Sequence, residues 1–250
     1  MTIPPILILM LLAHIIGDFY LQTKNMAAKK NESKKWLLRH GGLYSLCMAV
    51  ILLIGVTISW YWLLLVLGTS LSHLLIDYFK KYFPKKPFII DQLLHIAIII
   101  ALWWLWGQNA TMWEHNTLQT LLRMFGYSPT TNILTLSGLL IILKPVGVLI
   151  EKGEIWDFSK NENTDTTPDE KQKGAGKMIG YLERIIVFFL LINNEFGAIA
   201  FVLTAKSVMR FPEIGKSKNA SSLAEYYIIG TLLSMTSVFI VAFLLGLIRF

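Results

Sequence analysis

The sequence predicts an all-α, polytopic transmembrane protein with about eight helical spans in two four-helix halves. Hydrophobic residues make up 54% of the chain and charged residues only 16%, whereas soluble domains carry about 25% charged residues. The mean hydropathy is +0.55. Several apolar runs approach the roughly 20 residues that a helix needs to cross a bilayer. Together these observations exclude an ordinary soluble fold.

Each predicted span is an apolar run bounded by charged or polar residues. The segments 178–193 and 195–211 are short, so they either cross the membrane or form a re-entrant pair. The first segment lacks the basic start and the small-residue cleavage site of a signal peptide. The eight segments lie at 4–22, 41–59, 61–79, 88–107, 133–150, 178–193, 195–211 and 224–248.

Basic and aromatic loops set the expected orientation of the chain. Loop 24–39 has six basic residues and one acid, and "KKYFPKK" at 80–86 has four lysines. The turn "TISWYW" at 57–62 is uncharged and aromatic, which is typical of the outer membrane interface. Because basic loops remain in the cytoplasm, both termini are predicted outside. These loops account for the net charge of +7, and no nucleic-acid partner is expected.

A polar, turn-rich segment at 159–177 separates the two halves. We predict an N-terminal four-helix membrane domain at 1–107 and an extracytoplasmic connection at 108–132. A C-terminal membrane domain follows at 133–250 and includes a cytoplasmic loop at 151–177. The lipid bilayer is the expected partner, and an oligomer is compatible with this organisation.

Polar residues recur every fourth position in the N-terminal spans. "LLAHIIGDFYLQ" carries His14, Asp18 and Gln22, while "SHLLIDYFK" and "DQLLH" each carry a histidine and an aspartate four residues apart. Residues four apart share a helix face. With the predicted orientation these side chains lie near the cytoplasmic leaflet, and His40 at the start of the second span lies at the same depth.

Ionisable residues inside a membrane need compensation, because each costs roughly 2.5–3.5 kcal/mol at a helix centre. Two interpretations stay open. A divalent cation would compensate them, and imidazole and carboxylate ligands suit zinc or manganese, as one or two ions. Alternatively, the residues form a metal-free network of caps and hydrogen-bonded pairs. The candidates are His14, Asp18, His40, His73, Asp77, Asp91 and His95.

The motifs "AHIIGDFYLQ", "RHGGLYSL", "SHLLIDYFK" and "DQLLH" resemble those of an uncharacterised family of bacterial multi-pass membrane proteins. The resemblance covers residues 10–100 and continues in "GYLERIIVFF", "AKSVMRFPEI" and "EYYIIGTLLS". More distantly, the motifs are similar to those of bacterial membrane-bound metal-dependent hydrolases. The resemblance implies a bacterial inner (plasma) membrane protein whose site is formed by the seven residues above.

The first functional hypothesis is metal-dependent hydrolysis of a lipid or phosphate-containing substrate at the cytoplasmic leaflet. A carboxylate that is not committed to the metal, Asp18 or Asp91, would be the catalytic general base. Gln22 is a candidate substrate ligand. The candidate metal ligands are His14, His40, His73, Asp77 and His95.

A second charged cluster occupies the C-terminal half. As a structural feature, it would be an ion-pair network in which Glu183 and Glu225 face the basic residues. As a functional feature, it would bind an anionic headgroup or phosphate through its basic residues, because arginine grips phosphate with two parallel hydrogen bonds. The basic residues are Arg184, Lys206 and Arg210.

Two further functions compete with hydrolysis. Intramembrane histidine and aspartate also mark proton and ion pathways, so the protein could be a transporter or channel. The crowding of polar groups at one depth and the scarcity of broken-helix signals argue against this. As a non-enzymatic scaffold, the protein would use its polar clusters only to fix helix packing.

Overall fold

The computed structural model describes residues 3–30, 32–82, 87–112, 129–152, 170–216 and 220–248. This part of the chain is almost entirely helical, and its one β-bridge joins Val56 to Met112. Its nine α-helices are α1 (Pro5–Ile15), α2 (Lys24–Lys29), α3 (Lys34–Gly55), α4 (Trp60–Phe79), α5 (Pro87–Leu102), α6 (Pro129–Glu151), α7 (Glu170–Ile192), α8 (Phe196–Lys216) and α9 (Ala220–Leu244).

The predicted all-α membrane fold is confirmed. Five helical stretches are long and apolar enough to cross a membrane, at Lys34–Gly55, Trp60–Phe79, Phe88–Gly107, Thr131–Glu151 and Tyr227–Leu244. Shorter apolar helices cover Pro5–Tyr20 and Phe196–Met209. Each predicted segment overlaps a helix, while the count of eight spans stays a prediction.

Two helices begin seven or eight residues earlier than the apolar runs indicated. α3 begins at Lys34 rather than at residue 41, so His40 lies in its second turn and not at its start. α7 begins at Glu170, inside the loop predicted for 151–177. Both extensions are rich in lysine, glutamate or glutamine, which are good helix formers in water. A helix therefore continues beyond its hydrophobic segment.

The chain forms two compact units, residues 1–140 and 141–250. In the first unit α1, α3, α4 and α5 form a closed ring of contacts, in which α1 packs on α3 and α5, and α4 also packs on both. The short helix α2 packs on α3. In the second unit α7, α8 and α9 contact one another, around buried residues such as Phe188 and Val238.

The four-helix ring of the first unit has an apolar end and a polar end. Met10, Met48, Leu52 and Leu65 belong to one buried hydrophobic core. The histidines and aspartates follow the core residues in α1 and α4, and precede them in α3 and α5. Since consecutive spans run in opposite directions, this alternating order brings all the polar residues to the same end.

A π-helical turn at Ile16–Tyr20 continues α1 toward this polar end. A Cβ atom added to Gly17 would lie 2.8 Å from Cδ2 of the buried Tyr44 ring, whereas one added to Gly42 would meet nothing within 4 Å. We expect Gly17→Ala to lower the free energy of unfolding by about 1–3 kcal/mol through overpacking. Gly42→Ala, the control, should leave it unchanged or raise it by up to about 1 kcal/mol. Unfolding by dodecyl sulfate in mixed micelles measures both, and equal losses would contradict the assignment.

Candidate metal centre

The polar end of the first unit holds a buried group of histidines and aspartates, which we call the His/Asp cluster. α1 and its π-helical turn supply two residues, α3 supplies one, and α4 and α5 supply two each. None of the seven is more than 6% exposed. The cluster consists of His14, Asp18, His40, His73, Asp77, Asp91 and His95.

Two imidazoles and two carboxylates meet in the first half of the cluster. The Nε2 atom of His40 lies 3.1 Å from Nε2 of His73. It also lies 3.3 Å from Oδ1 of Asp18 and 3.3 Å from Oδ2 of Asp77. The Nε2 atom of His73 is 3.5 Å from Oδ2 of Asp77. Three helical segments that are distant in sequence, the π-helical turn, α3 and α4, therefore converge on one point.

Gln92 joins this half to the second half of the cluster. Its Nε2 donates to Oδ2 of Asp18 at 2.9 Å and to Oδ2 of Asp91 at 3.2 Å. Its Oε1 lies 3.3 Å from Nε2 of His14. Asp91 in turn places Oδ1 3.4 Å from Nε2 of His95. The amide thereby fixes the orientation of two carboxylates and one imidazole.

Two lysines partly neutralise the aspartates. The Nζ of Lys30 donates to both oxygens of Asp77, at 2.7 and 2.8 Å, and lies 3.8 Å from Oδ1 of Asp18. Lys80 donates to Oδ2 of Asp91. Burial lowers the pKa of Lys30, but Asp18 and Asp77 outweigh this effect and raise that pKa above its ordinary value. Lys30 therefore stays charged at neutral pH, and the cluster has three aspartates for these two lysines.

The unpartnered atoms of the cluster fit a metal ion. Although Asp18 and Asp91 each have an imidazole nitrogen 3.3–3.4 Å away, five buried atoms of the cluster make no well-aligned hydrogen bond within the described ranges. They are Oδ1 of Asp18, Nδ1 of His40, Nδ1 of His73, Oδ1 of Asp91 and Nε2 of His95. Buried polar atoms normally have a partner. Oδ1 of Asp91 and Nε2 of His95 lie 3.4 Å apart without hydrogen-bond geometry, so neither atom satisfies the other.

Three groups of residues place their ligand atoms within 4.8 Å of one another. His73, His95 and Asp18 each belong to two of them, whereas Asp77, a predicted ligand, belongs to none. Both oxygens of Asp77 already accept from Lys30. The buried residues could thus hold a metal ion, in the groups His14–His73–His95, Asp18–His40–His73 and Asp18–Asp91–His95.

Tyr44 fixes the imidazole rings. Its ring stacks on that of His73, with centroids 3.7 Å apart and planes 4° from parallel. Its hydroxyl lies 3.3 Å from Nδ1 of His14. The ring of His73 also lies 4.3 Å from that of His95. This stack restricts the rotation of rings that a metal site needs to hold in place.

Sequence reasoning did not single out four residues of the site, namely Lys30, Tyr44, Lys80 and Gln92. Both lysines lie in basic loops, and the charge pattern of these loops indicated only the orientation of the chain in the membrane. Gln92 lies inside the "DQLLH" motif, next to an aspartate that was singled out. The predicted substrate ligand Gln22 donates to the backbone carbonyl of Asp18 at 2.9 Å and accepts from Lys30 at 3.1 Å when its amide is turned to satisfy both groups.

Among the described charged residues of the second unit, one predicted pair is present. Lys206 donates to Glu183 at 2.5 Å. Arg184 is buried and donates to Ser234 Oγ at 3.3 Å instead of meeting a glutamate. Glu225 is exposed, and the side chain of Arg210 lies outside the described residues.

The cluster lies within the part of the chain that matches a known family model. The family model described as "Protein of unknown function (DUF3307)" matches residues 6–122, a range that contains every residue of the cluster. Searches of the curated proteins and of the solved structures found no match. Residues 6–122 thus resemble a family of unknown function, which fits the uncharacterised family that the motifs indicated.

Proposed function

We propose that the His/Asp cluster binds a divalent metal ion, zinc or manganese, and that the protein is a metal-dependent hydrolase. One observation carries this proposal: imidazole and carboxylate atoms from separate helices lie buried together without hydrogen-bond partners. A purely structural polar network would pair these atoms, since an unpaired buried polar group costs about 1–3 kcal/mol. An ion bound among them, together with the water that it holds, would supply the missing partner for several of them at once.

Among the three groups we assign the ion to His14, His73 and His95, where His14 would exchange its contact with Gln92 or with Tyr44 for the ion. Three histidines leave a coordination position for substrate or water, as in catalytic zinc sites. This choice leaves Asp18 and Asp91 free of the ion, each with an unpartnered Oδ1. Asp77 then serves to hold Lys30.

When bound, the ion polarises a phosphoryl or acyl oxygen and lowers the pKa of a water that it binds. The chain contributes the proton acceptor: Oδ1 of Asp18 or Asp91 takes a proton from the attacking water. Gln92 orients both carboxylates through their Oδ2 atoms. Lys80 also holds Asp91 in place by donating to its Oδ2.

We place this reaction at the cytoplasmic side of a bacterial plasma membrane, on a lipid or phosphate-containing substrate. The support is the basic segment 24–39, which includes α2 and Lys30, at the same end of the unit as the cluster. Basic segments of this kind remain cytoplasmic. The buried cluster would then be reached from the inner leaflet.

The decisive experiment measures metal content and hydrolysis on the same detergent-purified protein. We expect at least one equivalent of zinc or manganese per chain by elemental analysis. Removal of the metal with a chelator should abolish hydrolysis of bis(4-nitrophenyl) phosphate, and addition of the metal should restore it. An exposed-residue variant, Glu225→Gln, is the control and should behave as wild type.

The two parts of the proposal can fail separately. Metal-free protein that gains no bound ion and no thermal stability from added zinc or manganese would reject the metal centre and favour a packing role. Metal-loaded protein that hydrolyses neither phosphate nor carboxylic esters would reject hydrolysis and leave the metal centre standing.

A further inference from the structure

The second unit buries an arginine that lacks an acidic partner. Arg184 is only 5% exposed. Its Nη1 donates to Oγ of Ser234 at 3.3 Å, whereas its Nε is buried without a hydrogen-bond partner. Within the described ranges no carboxylate pairs with it, because its neighbour Glu183 is held by Lys206 at 2.5 Å. A buried charge is normally paired, since desolvation without compensation is costly.

The described groups around the guanidinium group are an aromatic ring, a hydroxyl and two glycines. The ring of Tyr181 lies 5.2 Å from its central carbon. Cβ atoms added to Gly147 and Gly180 would lie 3.5 Å from Nη2 and Nη1, so backbone without side chains flanks both terminal nitrogens. The hydroxyl of Ser234 can also donate to an anion. All of these residues belong to the second unit.

We propose that Arg184 binds a phosphate oxyanion, from either a phospholipid headgroup or inorganic phosphate. The planar guanidinium group offers parallel N–H donors that match phosphate oxygens. Lys177, seven residues earlier on α7, forms an exposed ion pair with Glu151 of α6, and Arg184 lies about 10 Å farther along α7. The proposed site uses no residue of the His/Asp cluster and does not depend on a metal ion.

The test measures binding to the full chain with two probes, sodium phosphate and phosphatidylglycerol. Mixed micelles containing diacylglycerol provide the phosphate-free lipid control. Thermal stability reports the phosphate titration, and native mass spectrometry reports retained lipid. The variants are Arg184→Gln, which removes the charge, and Arg184→Lys, which keeps the charge but loses the planar fork. Arg39→Gln, at an exposed arginine, is the matched control.

We expect wild type and Arg39→Gln to bind one of the two probes with equal affinity, and Arg184→Gln to bind it about tenfold to hundredfold more weakly. Arg184→Lys should be intermediate, and it provides the measurement if Arg184→Gln does not fold. Stabilisation by sodium phosphate identifies free phosphate as the ligand, whereas retention of phosphatidylglycerol alone identifies a lipid headgroup. Binding of neither probe, or equal binding by wild type and both Arg184 variants, would overturn the proposal.

Discussion

Lys30→Met should lower the free energy of unfolding by about 3–5 kcal/mol, which is the usual cost of removing one partner from a buried ion pair. The Nζ of Lys30 reaches both oxygens of Asp77 at 2.7 and 2.8 Å, and both side chains are almost inaccessible to water. Without the ammonium group, the carboxylate of Asp77 stays buried beside that of Asp18. Unfolding by dodecyl sulfate in mixed micelles measures the loss.

Neighbouring Lys29 provides the matched control, because it is exposed and lies over the ring of Trp36. Lys29→Met should change stability by less than about 1 kcal/mol. The double variant Lys30→Met with Asp77→Asn should recover part of the loss, since it removes the unpaired charge. Equal effects of the two lysine variants, or no recovery in the double variant, would show that Lys30 does not serve as the counterion of Asp77.

His73→Ala should weaken the binding of zinc or manganese by more than about 100-fold, because even indirect supports of a metal site are worth 10–100-fold. His73 belongs to two of the three groups that could hold an ion, and it also carries the stack with Tyr44 and His95. Competition against a chromogenic chelator measures the affinity. Leu71→Ala, on the same helix at a residue that is 61% exposed, controls for general damage to α4.

His40→Ala separates the possible ligand sets. His40 lies in the cluster but outside the proposed set His14–His73–His95, so its loss should weaken metal binding by only about tenfold. An equally large loss in His40→Ala and His73→Ala would move the ion to the group that contains Asp18, His40 and His73. Unchanged affinity in His73→Ala would contradict both assignments.

Much of the His/Asp cluster in the first unit could be predicted, because the residues that share a helix face follow from their spacing in the sequence. The spacing of His73 and Asp77, and of Asp91 and His95, placed each pair on one helix face, and the structure brings both pairs into the same cluster. The role of Lys30 in the cluster could not be predicted from such spacing. Its contact with Asp77 joins residues 47 positions apart, and it depends on how α2 packs on α3.

The partners of the charged residues in the C-terminal half, by contrast, could not be predicted from the sequence. Glu183 and Arg184 are adjacent and project about 100° apart on a helix, so they meet different neighbours. The sequence did not indicate which ones, because pairing depends on how α7, α8 and α9 are rotated about their axes. The structure pairs Glu183 with Lys206 and leaves Arg184 beside a serine and a tyrosine.

The apolar end of the four-helix ring also has a consequence for membrane energetics. Side chains such as Met10, Met48, Leu52 and Leu65 fill the space beyond the His/Asp cluster. A filled hydrocarbon layer of this kind insulates electrically, so the voltage across the membrane would fall mainly over that layer. Hydrated ions could then enter and leave the cluster from a single side, and cells that overproduce the protein should keep their proton gradient intact.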